Sequence, residues 1–83
     1  MNTALTYFIT ALIITTNTPS AGWIQYTQAF SDKDACVYVV RKDQNELVER
    51  LEKYFKNKLV DIKIFECMTR DEAVWRNNQL GHR

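Results

Sequence analysis

Residues 1–23, MNTALTYFITALIITTNTPSAGW, decide how the rest of the chain is read. No charged side chain occurs before Asp32, and all eleven basic and all ten acidic residues lie from there onward. Thr3 to Thr16 is an unbroken run of apolar residues and threonine. A bilayer-spanning helix takes about 20 apolar residues. The run is closer to the apolar core of a secretory signal, about 7–15 residues followed by small residues at a cut. Asn17 to Gly22 supplies those small residues, so cleavage is expected after Ser20, Ala21 or Gly22, and Pro19 would end an apolar helix at a fitting distance. Two features depart from a standard signal. No basic side chain precedes the core, and Thr6, Thr10, Thr15 and Thr16 dilute it. A retained weak anchor and a first element of the fold are the alternatives. Against a surface helix, the run is apolar nearly all round and has no polar face. The leading expectation makes residues 1–21 a signal peptide or weak N-terminal anchor and residues 22–83 a small α+β domain.

Working outward, about 60 residues remain after such a cut. A domain of that size buries only about 60% of its unfolded-chain surface, so it needs a staple or a partner. Cys36 and Cys67 are the two cysteines, an even number in a short chain that reads as exported, and they are expected to form a disulfide. The bond would close a loop of about 31 residues, worth roughly 3–4 kcal/mol in the chain-entropy model. Two buried thiols of a cytosolic protein are the alternative.

From Trp23 the chain alternates β-type residues, Ile24, Tyr26 and Phe30 against Gln25, Thr27 and Ala29, which predicts a first strand. Ser31 is placed to N-cap a helix, with Asp32 and Asp34 in its first turn. That helix is expected to run to about Asn57, burying Cys36, Val40, Leu47, Leu51, Tyr54 and Phe55; the alternative is a break near Asp43, where RKDQNE dilutes the stripe. Glu46–Arg50, Glu49–Lys53 and Glu52–Lys56 are i,i+4 pairs on its outer side. Leu59–Met68 predicts a second strand, with Val60, Ile62 and Ile64 on one face. Phe65 and Cys67 fall out of phase with those three, so a twist or bulge after Ile64, or cover on both faces, is required if Cys67 is to reach Cys36. Thr69 and Glu72 have capping-box spacing before a final helix that ends near Leu80, with Gly81 as terminator. The expected architecture is α+β, in β-α-β-α order. Its two-stranded sheet, with strands expected to run parallel, packs on one long amphipathic helix held by one disulfide.

The chemistry expected of this chain is sparse. A net charge of +1 gives no basic excess for nucleic acid. Its two glycines, Gly22 and Gly81, lie at segment boundaries, which excludes a phosphate-cradling loop. One histidine, His82, and two cysteines cannot supply a four-ligand zinc site. His82 sits at the chain end without a carboxylate to orient it, and Asp32, Asp34, Asp71 and Glu72 are explained as first-turn carboxylates. No catalytic residue, metal or cofactor is expected. Trp23, Tyr26 and Trp75 are more aromatic surface than one helix covers, and are the candidate partner-binding residues. Trp75, with Val74 and Asn78, falls on a different side of the last helix from Ala73 and Leu80.

FSDKDAC together with FECMTRDEAVWRNNQLGH resembles a loose class of short exported proteins encoded by bacteriophages and marine bacteria. These have a leader, a Trp-containing strand, a cysteine at a helix start and a cysteine before T-x-x-E. The resemblance implies export and a phage or bacterial origin, and no activity. The threonine-diluted opening also looks like the releasable anchor of phage antiholins, in layout alone. The functional expectation is a small periplasmic or secreted protein that binds another protein or itself through open sheet edges. The alternatives are a membrane-retained regulator of antiholin type and a virion or envelope component. Membrane contact is expected only if residues 1–21 are retained.

Overall fold

The computed structural model describes residues 5–16 and 18–81. Tyr7–Thr15 is strand β1, Thr18–Phe30 strand β2, Lys33–Lys42 helix α1, Gln44–Phe55 helix α2, Leu59–Thr69 strand β3 and Arg70–Gly81 helix α3. One 3-10 turn, Lys56–Lys58, joins α2 to β3. The strands make one antiparallel sheet in the order β2-β1-β3. The α+β class and the single disulfide agree with the sequence reading, whereas the two-stranded sheet and the one long helix do not.

The extra strand lies inside the stretch expected to be a leader. β1 is the middle strand, paired with β2 on one side and β3 on the other. Ile9, Thr10, Ile13, Ile14 and Thr15 make it rich in β-branched residues, which fit a pleated surface. Both of its faces are occupied, so it reads as one apolar run without the alternation of a half-exposed strand. Tyr7, Ile9, Ala11 and Ile13 point to the side where α1 and α2 pack; Phe8, Thr10, Leu12 and Ile14 point to the other. β2 has thirteen residues against nine in β1. The surplus is absorbed by irregularities opposite Ile9 and Ile14.

β2 and β3 run in the same direction, as expected, but they are not neighbours. The α1–α2 connection passes over β1 from one edge of the sheet to the other, a split β-α-β arrangement. The expected long helix is two because Asp43 leaves helical geometry at φ −109°, ψ 26°. Its N–H donates to the Val39 carbonyl at 2.8 Å, closing α1, and its carbonyl accepts from Leu47 N–H at 3.0 Å, opening α2. Cys36 on α1 and Leu47 and Leu51 on α2 are buried as predicted, while Tyr54 is 79% exposed and belongs to the outer surface. α1 is capped by Asp32, not Ser31: Asp34 N–H donates to Asp32 Oδ1 at 3.3 Å. Glu46 and Arg50 pair at 3.7 Å, whereas Lys56 falls past the end of α2 at φ 55° and leaves the helical register that would set it against Glu52.

Of the alternatives left open for β3, a bulge is present, one residue earlier than expected. Leu12 pairs with Ile64 and Ile13 with Ile62, so Lys63 is an extra residue between them. The slip puts Ile62, Phe65 and Cys67 on the α1–α2 side and Ile64, Glu66 and Met68 on the α3 side.

The core is continuous across the α1–α2 side. Cys36 and Cys67 are bonded with Cα atoms 6.1 Å apart, tying α1 to β3 directly above Ile9. Ala11, Ile13 and Leu51 form the adjoining cluster. Tyr26 from β2 and Phe65 from β3 belong to both, and their ring centroids come within 6.5 Å. Strands two positions apart in a sheet lie about 10 Å apart, so the rings meet by leaning over β1, where Phe65 has the small Ala11 as its neighbour. On the other side Thr10 is fully buried, and its hydroxyl is satisfied by donating to the Glu66 carbonyl at 2.8 Å. Among the described residues no helix is long and apolar enough to cross a membrane.

Candidate functional site

The three aromatic candidates do not converge. Tyr26 points into the core beneath α2, Trp23 lies on the opposite side of the sheet beside α3, and Trp75 projects from the outer surface of α3.

Tyr26 has a structural role. Its hydroxyl donates to the Leu47 carbonyl of α2 at 2.8 Å while its ring packs against Phe65. Burial pushes the phenol up to about 12 from its ordinary value near 10, against the opposing pull of the Arg50 charge. The folded value lies above the unfolded one, so the stability this group lends is complete below about pH 10 and is lost as pH rises towards 12. In an alkaline titration followed by ultraviolet absorbance, one phenolate is expected to form near pH 12. Tyr26→Phe should remove that late component, and an unchanged late phase would contradict the assignment.

Trp23 is fastened on three sides. Leu12 is its partner on β1. Asn77 of α3 accepts from the Trp23 N–H at 2.7 Å and donates to the Trp23 carbonyl at 3.0 Å. The Asn77 amide thus takes the place of a neighbouring strand and closes the outer edge of β2 at this residue. The Arg76 guanidinium lies 5.2 Å from the Trp23 ring centroid and bridges Glu66 at 2.9 Å and Glu72 at 2.8 Å. Arg76 therefore pins α3 to both outer strands through charge-assisted bonds and a cation–π contact. The capping box predicted at Thr69 starts this helix, with Glu72 N–H donating to Thr69 Oγ1 at 3.2 Å.

Trp75 faces the other way. Ala73 is buried against the sheet, while Val74 and Trp75 are 54% and 60% exposed. Ala73 and Trp75 therefore fall on different sides as read from the sequence, but Leu80, grouped there with Ala73, is exposed, and the inner side is held by Ala73, Arg76 and Asn77.

A further feature was not anticipated. Tyr54 and Phe55 at the end of α2 stack edge to face with centroids 4.9 Å apart. With Ile24, Arg50 and Leu51 they line an open groove of about 520 Å³ between α2 and β2. The signal that could have found it is Tyr54 itself, an aromatic one turn after Arg50 at the edge of the apolar stripe. The groove contains no nucleophile paired with a base. Among the described residues no three His, Cys, Asp or Glu side chains gather as a metal-ligand set. His82 lies outside the described residues. Both cysteines are consumed by the disulfide.

No family model, curated protein or solved structure matches the chain. The geometry itself defines a small, disulfide-stapled α+β domain whose three-stranded antiparallel sheet has α1 and α2 on one side and α3 on the other.

Proposed function

We propose that this is a small binding protein of an oxidising compartment, periplasmic or secreted, which acts by contacting another protein and performs no chemistry of its own. The observation that carries the reading is Trp75, an indole 60% exposed next to Val74 on a helix whose opposite side is fixed to the sheet. A large aromatic held on a rigid support loses little freedom on binding, and such residues dominate the energy of protein contacts. The disulfide supports an oxidising location, since cytosolic thiols are kept reduced. A net charge of +1 disfavours a polyanionic partner.

In this reading Tyr7–Thr15 stays in the working protein, because both other strands pair to it. Intact mass from the native host tests location and processing together. Full-length protein that gains about 2 Da on reduction is expected, since each bond broken adds two hydrogens. Loss of the first 20 or so residues, or free thiols, would overturn it. The binding surface is tested by replacing Trp75 with a photo-crosslinking residue in the same host. A discrete adduct to one protein is expected, and Glu49 serves as a control position. Trp75→Ala should abolish capture of that protein while moving stability by no more than about 0.5 kcal/mol, as for other exposed positions. Absence of any adduct at position 75 would remove the basis for the reading.

A further inference from the structure

The sheet has two outer edges, and the chain treats them differently. On β2, Asn77 occupies the outward N–H and carbonyl of Trp23. On β3, among the described residues, no helix or loop backbone bonds to the outer side of the strand from Val60 to Phe65. Two large aliphatic residues of this strand, Val60 and Ile64, are 60% and 46% exposed.

The residues along that edge read Lys58-Leu59-Val60-Asp61-Ile62-Lys63-Ile64-Phe65-Glu66. Set antiparallel to itself about Ile62, the segment is self-complementary. Asp61 faces Lys63, Val60 faces Ile64, Leu59 faces Phe65 and Lys58 faces Glu66. Each charge meets its opposite and each apolar residue meets another. Moving the centre to Asp61 sets Leu59 against Lys63 and Lys58 against Ile64; moving it to Lys63 sets Asp61 against Phe65 and Val60 against Glu66. One register alone satisfies every position, which is how cross-strand pairs select a partner and an alignment.

We infer that the free edge of β3 is the docking site for a second copy of this chain, joined antiparallel about Ile62 into a continuous six-stranded sheet with two-fold symmetry. Asp61 and Lys63, 3.2 Å apart within one chain and each about half exposed, are already placed at the centre of that seam. In the dimer each turns to its counterpart across the axis, making two inter-chain pairs. The bulges at Val60 and Lys63 would blunt the edge against a flat foreign strand, but a second copy carries the same bends at the same residues. Val40 and Val48 overhang the same edge from α1 and α2, and the partner's strand would cover them. An isologous seam of this kind is the commonest way for a chain to pair with itself. This goes beyond the binding surface proposed on α3, which packs chiefly against the opposite, β2, edge of the sheet.

The test is the oligomeric state of the full chain, by sedimentation equilibrium across a concentration series. The unaltered protein is expected to be dimeric at micromolar concentrations. Asp61→Lys places like charges opposite each other twice, as does Lys63→Asp, and each alone should dimerise about tenfold more weakly, two pairs contributing about 1.4 kcal/mol between attraction and repulsion. Mixed together, those two variants have matching charges at every seam position, so they should form a heterodimer of ordinary affinity. The double variant Asp61→Lys/Lys63→Asp should dimerise as the parent does. Both positions altered are exposed, and circular dichroism checks that each variant is folded. A monomeric parent, or a dimer indifferent to these exchanges, would overturn the inference. Neither result bears on crosslinking at Trp75.

Discussion

A chain that begins at Gly22 is expected not to fold. β2 and β3 share no ladder; each is held in the sheet by β1, so its removal strips both of their ladder partner at once. It also takes Ile9 from the disulfide cluster, and Ala11 and Ile13 from the cluster under Leu51. Burying two isoleucines contributes about 1.5–3 kcal/mol each, and each ladder bond adds a net of about 1 kcal/mol. That sum exceeds the total stability of a small domain, which is about 5–15 kcal/mol and sits at the low end for this size. Far-UV circular dichroism and the dispersion of amide resonances would read the result directly. A point variant separates loss of β1 packing from mere shortening of the chain. Ile9→Asp buries a charge at a fully enclosed position and should unfold the protein, while Ile9→Val should lower stability by only about 0.5–1.5 kcal/mol. A truncated chain with a dispersed, cooperative spectrum would mean that residues 22–83 stand alone, as the leader reading requires.

The second large effect is expected from the disulfide. Replacing both cysteines by alanine opens a loop whose ends are 31 residues apart, and the chain-entropy model puts the loss at about 3–4 kcal/mol. For a domain of this size each kcal/mol moves the melting temperature by about 4–8 °C, so Tm should fall by roughly 15–30 °C. Cys36 is fully buried and Cys67 nearly so. Reductant should therefore act only when the core opens, and reduction under native conditions should be far slower than in denaturant. A Tm change below about 5 °C would mean that the packing of α1 on β3 does not depend on the bond. The charge-exchange variants at Asp61 and Lys63 should leave this Tm almost unmoved.

Much of the chain after Ser31 was legible because its signals are local. Thr69 and Glu72 form their capping contact, and Ala73 and Trp75 divide α3 into an inner and an outer side. The parity clash between Ile64 and Cys67 pointed to a twist, a bulge or cover on both faces, and the strand has a bulge at Lys63 with Cys67 and Met68 both buried beyond it. The candidate site was legible only as residue types. Tyr26 and Trp75 look alike in sequence, and their roles separate only through long-range placement, Tyr26 under Leu47 and Trp75 on the outer side of a helix pinned by Arg76. β1 was hidden for a physical reason. A short apolar run flanked by small residues has the same composition whether it is a signal core or a strand buried on both faces. Of the threonines read as diluting a leader, Thr10 and Thr15 are β-branched residues of β1, and Thr10 is buried with its hydroxyl bonded. Pro19, read as a helix breaker, lies in β2, an edge strand where a missing N–H is tolerated.

The position of β1 in the sheet also fixes when the protein can fold. The strand that both others need is the first to leave the ribosome, yet Tyr7 must wait for Thr69 and Thr15 for Leu59. Until then it has only the hairpin to β2, and two strands alone are barely stable in water. The nascent chain therefore stays open until β3 has emerged, with its most apolar segment exposed, and closes through contacts far apart in sequence. Such a topology folds slowly. Under the export proposed above, that delay would keep the chain unfolded while it is moved through a membrane, before its cysteines are oxidised.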